Sequence, residues 1–161
     1  FILLRGDTLL EEAILDRLLG TPSRPVTLVT DSKLTYDADD MKVTLDEHRV
    51  LGVGKTLQPD QSHGESIGMM LFRENGPDLF VRAIEGAIRK PQALKQWYLS
   101  VIDEMAQSGL VRACPIQGLR WAEVDYPVDL EDAKKLVTSW GAPSSLKTPS
   151  ARQFSEPIPS H

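Results

Sequence analysis

Phe1-Ile2-Leu3-Leu4-Arg5-Gly6-Asp7-Thr8 opens the chain, and Pro25-Val26-Thr27-Leu28-Val29-Thr30 follows a helical stretch. Residues 1–5 are apolar without alternation and read as a short buried strand. Gly6-Asp7-Thr8 breaks it. Leu10, Ile14 and Leu18, with Ala13, Leu15 and Leu19, then recur at helical spacing among Glu11, Glu12, Asp16 and Arg17. That is an amphipathic helix of about three turns, closed by Gly20-Thr21-Pro22. The β-branched run at 25–30 is a second strand. Strand, helix, strand is a βαβ unit, which predicts a parallel pair and a helix-covered sheet.

The rest of the chain extends this α/β pattern. Met41–Leu45 and Val50–Lys55 flank the turn Asp46-Glu47-His48-Arg49 and read as a hairpin. Ser66–Phe72 is a strand with Gly68 inside it, which signals a bulge or a close backbone approach. Helices are expected from Asn75-Gly76-Pro77-Asp78 to Ile88, from Leu94 to Gln107 and from Val128 to Trp140. Leu110–Cys114 and Leu119–Val124 read as strands. The sequence predicts an α/β fold with a mixed, mostly parallel sheet flanked by helices over residues 1–140. Proline and serine dominate residues 141–161, which read as a disordered tail.

The 161 residues carry 18 basic and 23 acidic side chains, a net charge of −5. A general nucleic-acid binder usually presents a basic face, so that class is disfavoured. No apolar run is long enough for a membrane-spanning helix. One cysteine, Cys114, excludes an internal disulfide framework and suits a reducing cytoplasm. A strand already in progress at Phe1 suggests a further segment upstream.

Two acids stand where open α/β sheets bind ligands, beyond the ends of strands. Asp7 follows the first strand, and Asp125 follows the last. Each suits a hard cation such as Mg²⁺, and each also suits a helix cap. Glu123 shares a sheet face with Asp125 if the strand runs that far. Lys55 ends a strand after Gly52 and Gly54, where an ammonium suits a phosphate or phosphonate or sits solvated at a hairpin end. Glu65, between glycines, suits a cationic or hydroxylated substrate or is an ordinary loop acid. Trp97, Tyr98 and Trp121 offer an aromatic wall for an ammonium group, or core. His48, His63 and His161 lack metal-ligand spacing.

Five segments in this order resemble one family. They are Phe1–Leu10, Asp40-Met41-Lys42-Val43, Val53-Gly54-Lys55, Gly64-Glu65-Ser66-Ile67-Gly68 and Trp121–Leu130. Together they resemble sugar-nucleotidyltransferase-like enzymes, and among these the small cytidylyltransferases acting on phosphocholine or 2-aminoethylphosphonate. The resemblance implies a mononucleotide-binding fold and Mg²⁺-dependent transfer from a nucleoside triphosphate, CTP first, to a small phosphate or phosphonate acceptor. Pyrophosphate leaves. It implies that Asp7 and Asp125 hold the metal, that Lys55 serves catalysis, and that Glu65, Glu123, Trp121 and Tyr98 line the acceptor site. The family's glycine-rich nucleotide loop is not in this sequence. The resemblance therefore covers the C-terminal portion of that fold, expected to be inactive alone. A non-catalytic binding or regulatory module derived from it is the alternative.

Overall fold

The computed structural model describes residues 1–91 and 98–140. Trp97, the start of the helix expected from Leu94 and the tail expected at 141–161 lie outside the described residues. The strands are β1 (Ile2–Leu4), β2 (Thr8–Leu10), β3 (Val26–Asp31), β4 (Lys42–Asp46), β5 (Arg49–Gly54), β6 (Gly64–Phe72), β7 (Val111–Pro115) and β8 (Trp121–Glu123). The helices are α1 (Glu12–Leu19), α2 (Gly76–Ile88), α3 (Tyr98–Gln107) and α4 (Asp129–Trp140). Among the described residues, no helix is long and apolar enough to cross a membrane.

Six strands form one sheet in the order β1-β6-β3-β7-β5-β4. β1 and β3 share a direction, as a strand-helix-strand unit requires, but β6 lies between them and is antiparallel to both. Among the described residues only β3–β7 is parallel. The sheet is therefore mixed, with antiparallel pairing predominant, and the expectation of a mostly parallel sheet is corrected. β6 is buried at every position, which suits a central strand paired along both edges. Hydrophobic pattern marks such a strand but not its neighbours, because ladder hydrogen bonds are made by backbone. β4 pairs with both β5 and β6, and β5 meets β7 at Arg49 and Arg112, so the ladder returns on itself.

β1 is an edge strand, not the buried strand expected. Phe1, Ile2 and Leu4 are exposed, because only β6 adjoins it. Phe1 stacks on Phe72 with ring centroids 4.6 Å apart. A second correction follows Gly6-Asp7. Residues Thr8–Leu10 form β2, which pairs with β8 in a separate two-stranded ribbon. Leu10 thus belongs to a strand, and α1 begins only at Glu12.

Alternation along β3 and β7 splits the core between the two faces. Val26, Leu28, Val111 and Ala113 join Phe80, Leu99, Ile102 and Met105 of α2 and α3. Val29 and Cys114 join Ile14 and Leu18 of α1. Helices therefore cover both faces of the sheet.

Gly68 positions the site described below. The β3–β6 register shifts between Leu28 and Thr30, opposite Gly68, whose φ is +77°. The Gly68 carbonyl accepts a 3.0 Å hydrogen bond from the Arg5 amide. A Cβ on Gly68 would lie 2.4 Å from Arg5 Cδ. Both the backbone conformation and the space demand glycine. Gly68→Ala is expected to lose about 1–2 kcal/mol in urea unfolding, from the left-handed backbone and the displaced Arg5. An unchanged midpoint would show that Arg5 does not need this seat.

Candidate functional site

Arg5 is the centre of the site. It leaves β1 over Gly68 and reaches the end of the β2–β8 ribbon. Its guanidinium donates to Asp7 Oδ2 at 2.6 Å and to Glu123 Oε1 at 2.7 Å, across 118 residues of sequence. The nitrogen that binds Asp7 also lies 3.7 Å from Asp125 Oδ1. The ribbon makes this convergence possible, because Thr8 pairs with Glu123 and the Val124 amide donates to the Asp7 carbonyl at 3.0 Å. The Thr8 hydroxyl donates to the buried Ile67 carbonyl, tying the turn to β6.

The helix-cap readings fail for both aspartates. β2 separates Asp7 from α1, whose cap position is Glu11. α4 begins only at Asp129, four residues beyond Asp125, and the Asp125 amide itself donates to the Asp129 carboxylate. Asp7 and Asp125 are left to face Arg5.

Burial alone would lower the Arg5 pKa, but the hydrogen bond to Asp7 and the charges of Glu123, Asp7 and Asp125 raise it above its ordinary value. Burial pushes the Glu123 carboxyl up. Arg5 opposes that shift, and Asp125 and Asp7 add to it.

Beside Arg5 opens a cleft of about 490 Å³. Lys55, Glu65, Tyr98, Glu123 and Asp125 all line it, so five of the seven residues singled out in the sequence meet there. Asp7 joins them through Arg5. Trp121 does not line the cleft. Its indole donates to Asp31 Oδ2 at 2.8 Å, and its ring packs against the α1-side core. The Tyr98 hydroxyl is buried without a hydrogen-bond partner among the described residues. Burial raises its pKa. Arg5 works against that shift, and Asp7 and Glu123 add to it.

The far wall is a second charge cluster that the sequence reading missed. Lys33 Nζ lies 2.7 Å from Asp40 Oδ1 and 3.1 Å from Glu65 Oε2. Lys42 is 1% exposed, and its ammonium donates to the carbonyls of Asp37 at 2.6 Å and Asp40 at 3.3 Å. Asp37 Oδ1 accepts from the amides of Asp39 and Asp40, so the aspartate loop is tied to itself. Lys55 Nζ reaches Asp39 at 3.4 Å. Arg5 and Lys42 read as ordinary strand residues in sequence. The usable signal was Arg5 two residues before Asp7, the spacing that places side chains on one face of an extended segment.

Glu65 and Asp40 titrate in opposite senses. Burial raises Glu65 against the pull of Lys33. Burial would also raise Asp40, but the hydrogen bonds from Lys33 and the Asp37 amide bring it below its ordinary value. A raised folded pKa means that Glu65's contribution to stability is complete below its unfolded value, near 4.5, and is lost as pH rises through the folded value. Wild type is therefore expected to gain stability over Glu65→Gln as pH falls through that window, and to gain no more below it. Thermal unfolding of both proteins across the acid range measures this. A constant difference would contradict it.

Six carboxylates, from Asp37, Asp39, Asp40, Glu65, Glu123 and Asp125, line the cleft with two cations, Arg5 and Lys55, and Lys33 pairs with Asp40 and Glu65. That balance favours a cationic group or a metal-bound anion over a bare anion. Asp7 and Asp125 are the hard oxygen donors that Mg²⁺ takes, one or two carboxylates with phosphate oxygens and water completing the shell. Among the described residues, no group of three or more His, Cys, Asp and Glu is arranged to hold a metal ion. Any such ion would rest on the two aspartates and its phosphate ligands.

No protein-family model matches the sequence, and no curated protein matches it either. Solved structures do. The inositol-1-phosphate CTP transferase from T. maritima matches with a TM-score of 0.63 and 18% identity, over 87% of this chain and 55% of that one. A protein described as a glucose-1-phosphate thymidylyltransferase, from Bacillus anthracis and in complex with a sucrose, matches with a TM-score of 0.63 and 15% identity, over 84% and 53%. The chain shares their fold and spans about half the length of each.

Proposed function

We propose that this chain is the acceptor-side portion of a nucleotidyltransferase, one that joins a nucleoside triphosphate, CTP first, to a small phosphorylated or phosphonate acceptor. The observation that carries the reading is the convergence of Asp7 and Asp125 on one guanidinium nitrogen beside the cleft. The fold of the two solved nucleotidyltransferases supports it. In this reaction an acceptor oxygen attacks the α-phosphorus, the bond to the bridging oxygen breaks, and pyrophosphate leaves. Such chemistry is mostly positioning and charge neutralisation. Mg²⁺, held by Asp7 and Asp125, would supply charge neutralisation on the phosphates.

The chain's own residues do the rest. Lys55 attracts the acceptor's phosphate or phosphonate. Glu65, Asp40 and Glu123 leave the lining of the cleft negative, which suits an acceptor bearing an ammonium group. Tyr98 offers its ring to that ammonium, a contact worth about 0.5–2 kcal/mol, and its unpartnered hydroxyl to the ester. Phosphocholine and 2-aminoethylphosphonate have this form. The test is pyrophosphate release by the chain within its full-length native polypeptide, with CTP, Mg²⁺ and each acceptor in turn. Release that depends on an aminated acceptor supports the reading, and no release with any triphosphate or acceptor sinks it.

One observation favours the alternative of a non-catalytic binding module. Arg5 already satisfies Asp7 and Glu123, so the carboxylates have a cation without any metal. A binding module would take the aminated ester without Mg²⁺ and release no pyrophosphate.

A further inference from the structure

A second cavity, of about 440 Å³, shares no lining residue with the cleft and has the opposite charge. It lies where β3 and β7 run side by side near the end of α1. Thr27 pairs with Arg112 in the parallel register, and both alternate with the residues that face α2 and α3. Arg17 comes from the last turn of α1, Arg24 from the connection to β3, and His48 from the β4–β5 turn. The His48 carbonyl accepts from the Ala113 amide at 2.7 Å, which holds that turn against β7.

Among the described residues, three guanidinium groups and an imidazole line this cavity and no carboxylate does. That is unexpected in a chain with 23 acids and 18 bases. Arg17 gives one hydrogen bond, to the Pro115 carbonyl at 3.2 Å. The side chains of Arg24, Arg112 and His48 make no hydrogen bond or ion pair among the described residues. The Thr27 hydroxyl, in a residue only 1% exposed, is buried without a partner. A buried hydroxyl left unpaired is costly and uncommon. The carbonyls at the end of α1, which would repel an anion, are already taken. Arg73 donates to Leu19 and Thr21, and the Thr21 hydroxyl donates to Leu18.

We propose that this cavity binds the phosphate of a small phosphorylated molecule, with Arg112, Arg24 and Arg17 around the anion and the Thr27 hydroxyl donating from the floor. Planar guanidinium groups match phosphate oxygens in pairs, and the volume lies in the range of small-ligand sites. The site goes beyond the nucleotidyl-transfer reading and stands if that reading fails.

The test uses inorganic phosphate and pyrophosphate as probes, in calorimetric titration and thermal unfolding, against sodium chloride at matched ionic strength. Wild type is expected to bind both and to melt higher with them than with chloride. Arg112→Gln is expected to weaken binding about tenfold or more, the worth of a hydrogen bond to a charged group. Thr27→Val keeps the side chain's shape and removes the unpaired hydroxyl. It is expected to fold at least as well as wild type and to bind phosphate about tenfold more weakly. Lys135→Gln, which removes an exposed cation on α4 away from both cavities, is expected to leave phosphate binding intact. Four results would each overturn the proposal: an equal response to chloride, wild-type affinity in Arg112→Gln, wild-type affinity in Thr27→Val, or a loss of binding in Lys135→Gln as large as in Arg112→Gln.

Discussion

Asp7→Asn is expected to lower pyrophosphate release by about 10²–10³ in the full-length native polypeptide, the range for removing one electrostatic contact to a transition state. Asparagine keeps the shape of aspartate and loses its charge, so the loss would be of charge alone. Stability should change little. The Asp7 side chain is 32% exposed in its pair with Arg5, and ion pairs open to water are worth about 0–1 kcal/mol. Asp125→Asn should act on the same step. The double variant should then be little worse than either single one, because groups acting as a unit are non-additive. Asp16→Asn, an exposed acid on α1, is the control for a general charge effect. The initial rate of CTP-dependent release measures all four, and full rate in Asp7→Asn would remove both aspartates from the proposed mechanism.

The site was more legible in the sequence than the sheet was. Asp7 and Asp125 were singled out because each follows a strand, a position set by local pattern. Their convergence needs only that β2 and β8 end at the same place. The neighbour of β1 was not legible. Strand, helix and strand over residues 2–31 suggest a parallel pair, yet β6, distant in sequence, lies between them. Periodicity reports which face of a strand is buried, whereas pairing is chosen by backbone groups that every residue carries. For the same reason Phe1, Ile2 and Leu4 looked buried. Gly68 was legible as a close approach, but its partner, the Arg5 side chain, was not. The direction of Trp121, away from the cleft and onto Asp31, was not legible, because an aromatic residue announces burial and not direction. Lys42 stood in one of the five resembling segments but had no assigned role, since a lysine in an alternating strand reads as solvent-facing, and only the fold reveals the two carbonyls that hold it.

Arg5→Met is expected to destabilise the protein by about 2–3 kcal/mol at neutral pH. Removing one partner of a fully buried ion pair costs about 3–5 kcal/mol. This cluster is partly open, with Arg5 27% exposed and Glu123 28%, so water recovers some of that. Methionine retains the packing of the stem against Gly68 and removes only the guanidinium, leaving Asp7, Glu123 and Asp125 facing one another. Like charges in that arrangement favour proton uptake. Arg5 holds the Glu123 pKa down against burial, so the variant's Glu123 should bind a proton at higher pH than wild type's. The deficit should therefore shrink as pH falls, because protonation relieves the repulsion. Urea unfolding of both proteins from neutral to acid pH measures this. A deficit that stays constant would mean that Arg5 contributes packing and not charge. The same variant separates the two readings of the site. If Asp7 and Asp125, freed of their guanidinium, take Mg²⁺, part of the lost stability should return when it is added, and Asp7→Asn in the same background should abolish the regain. If Mg²⁺ restores nothing in Arg5→Met, the aspartates are Arg5's partners only, and the binding-module reading gains at the expense of the enzyme.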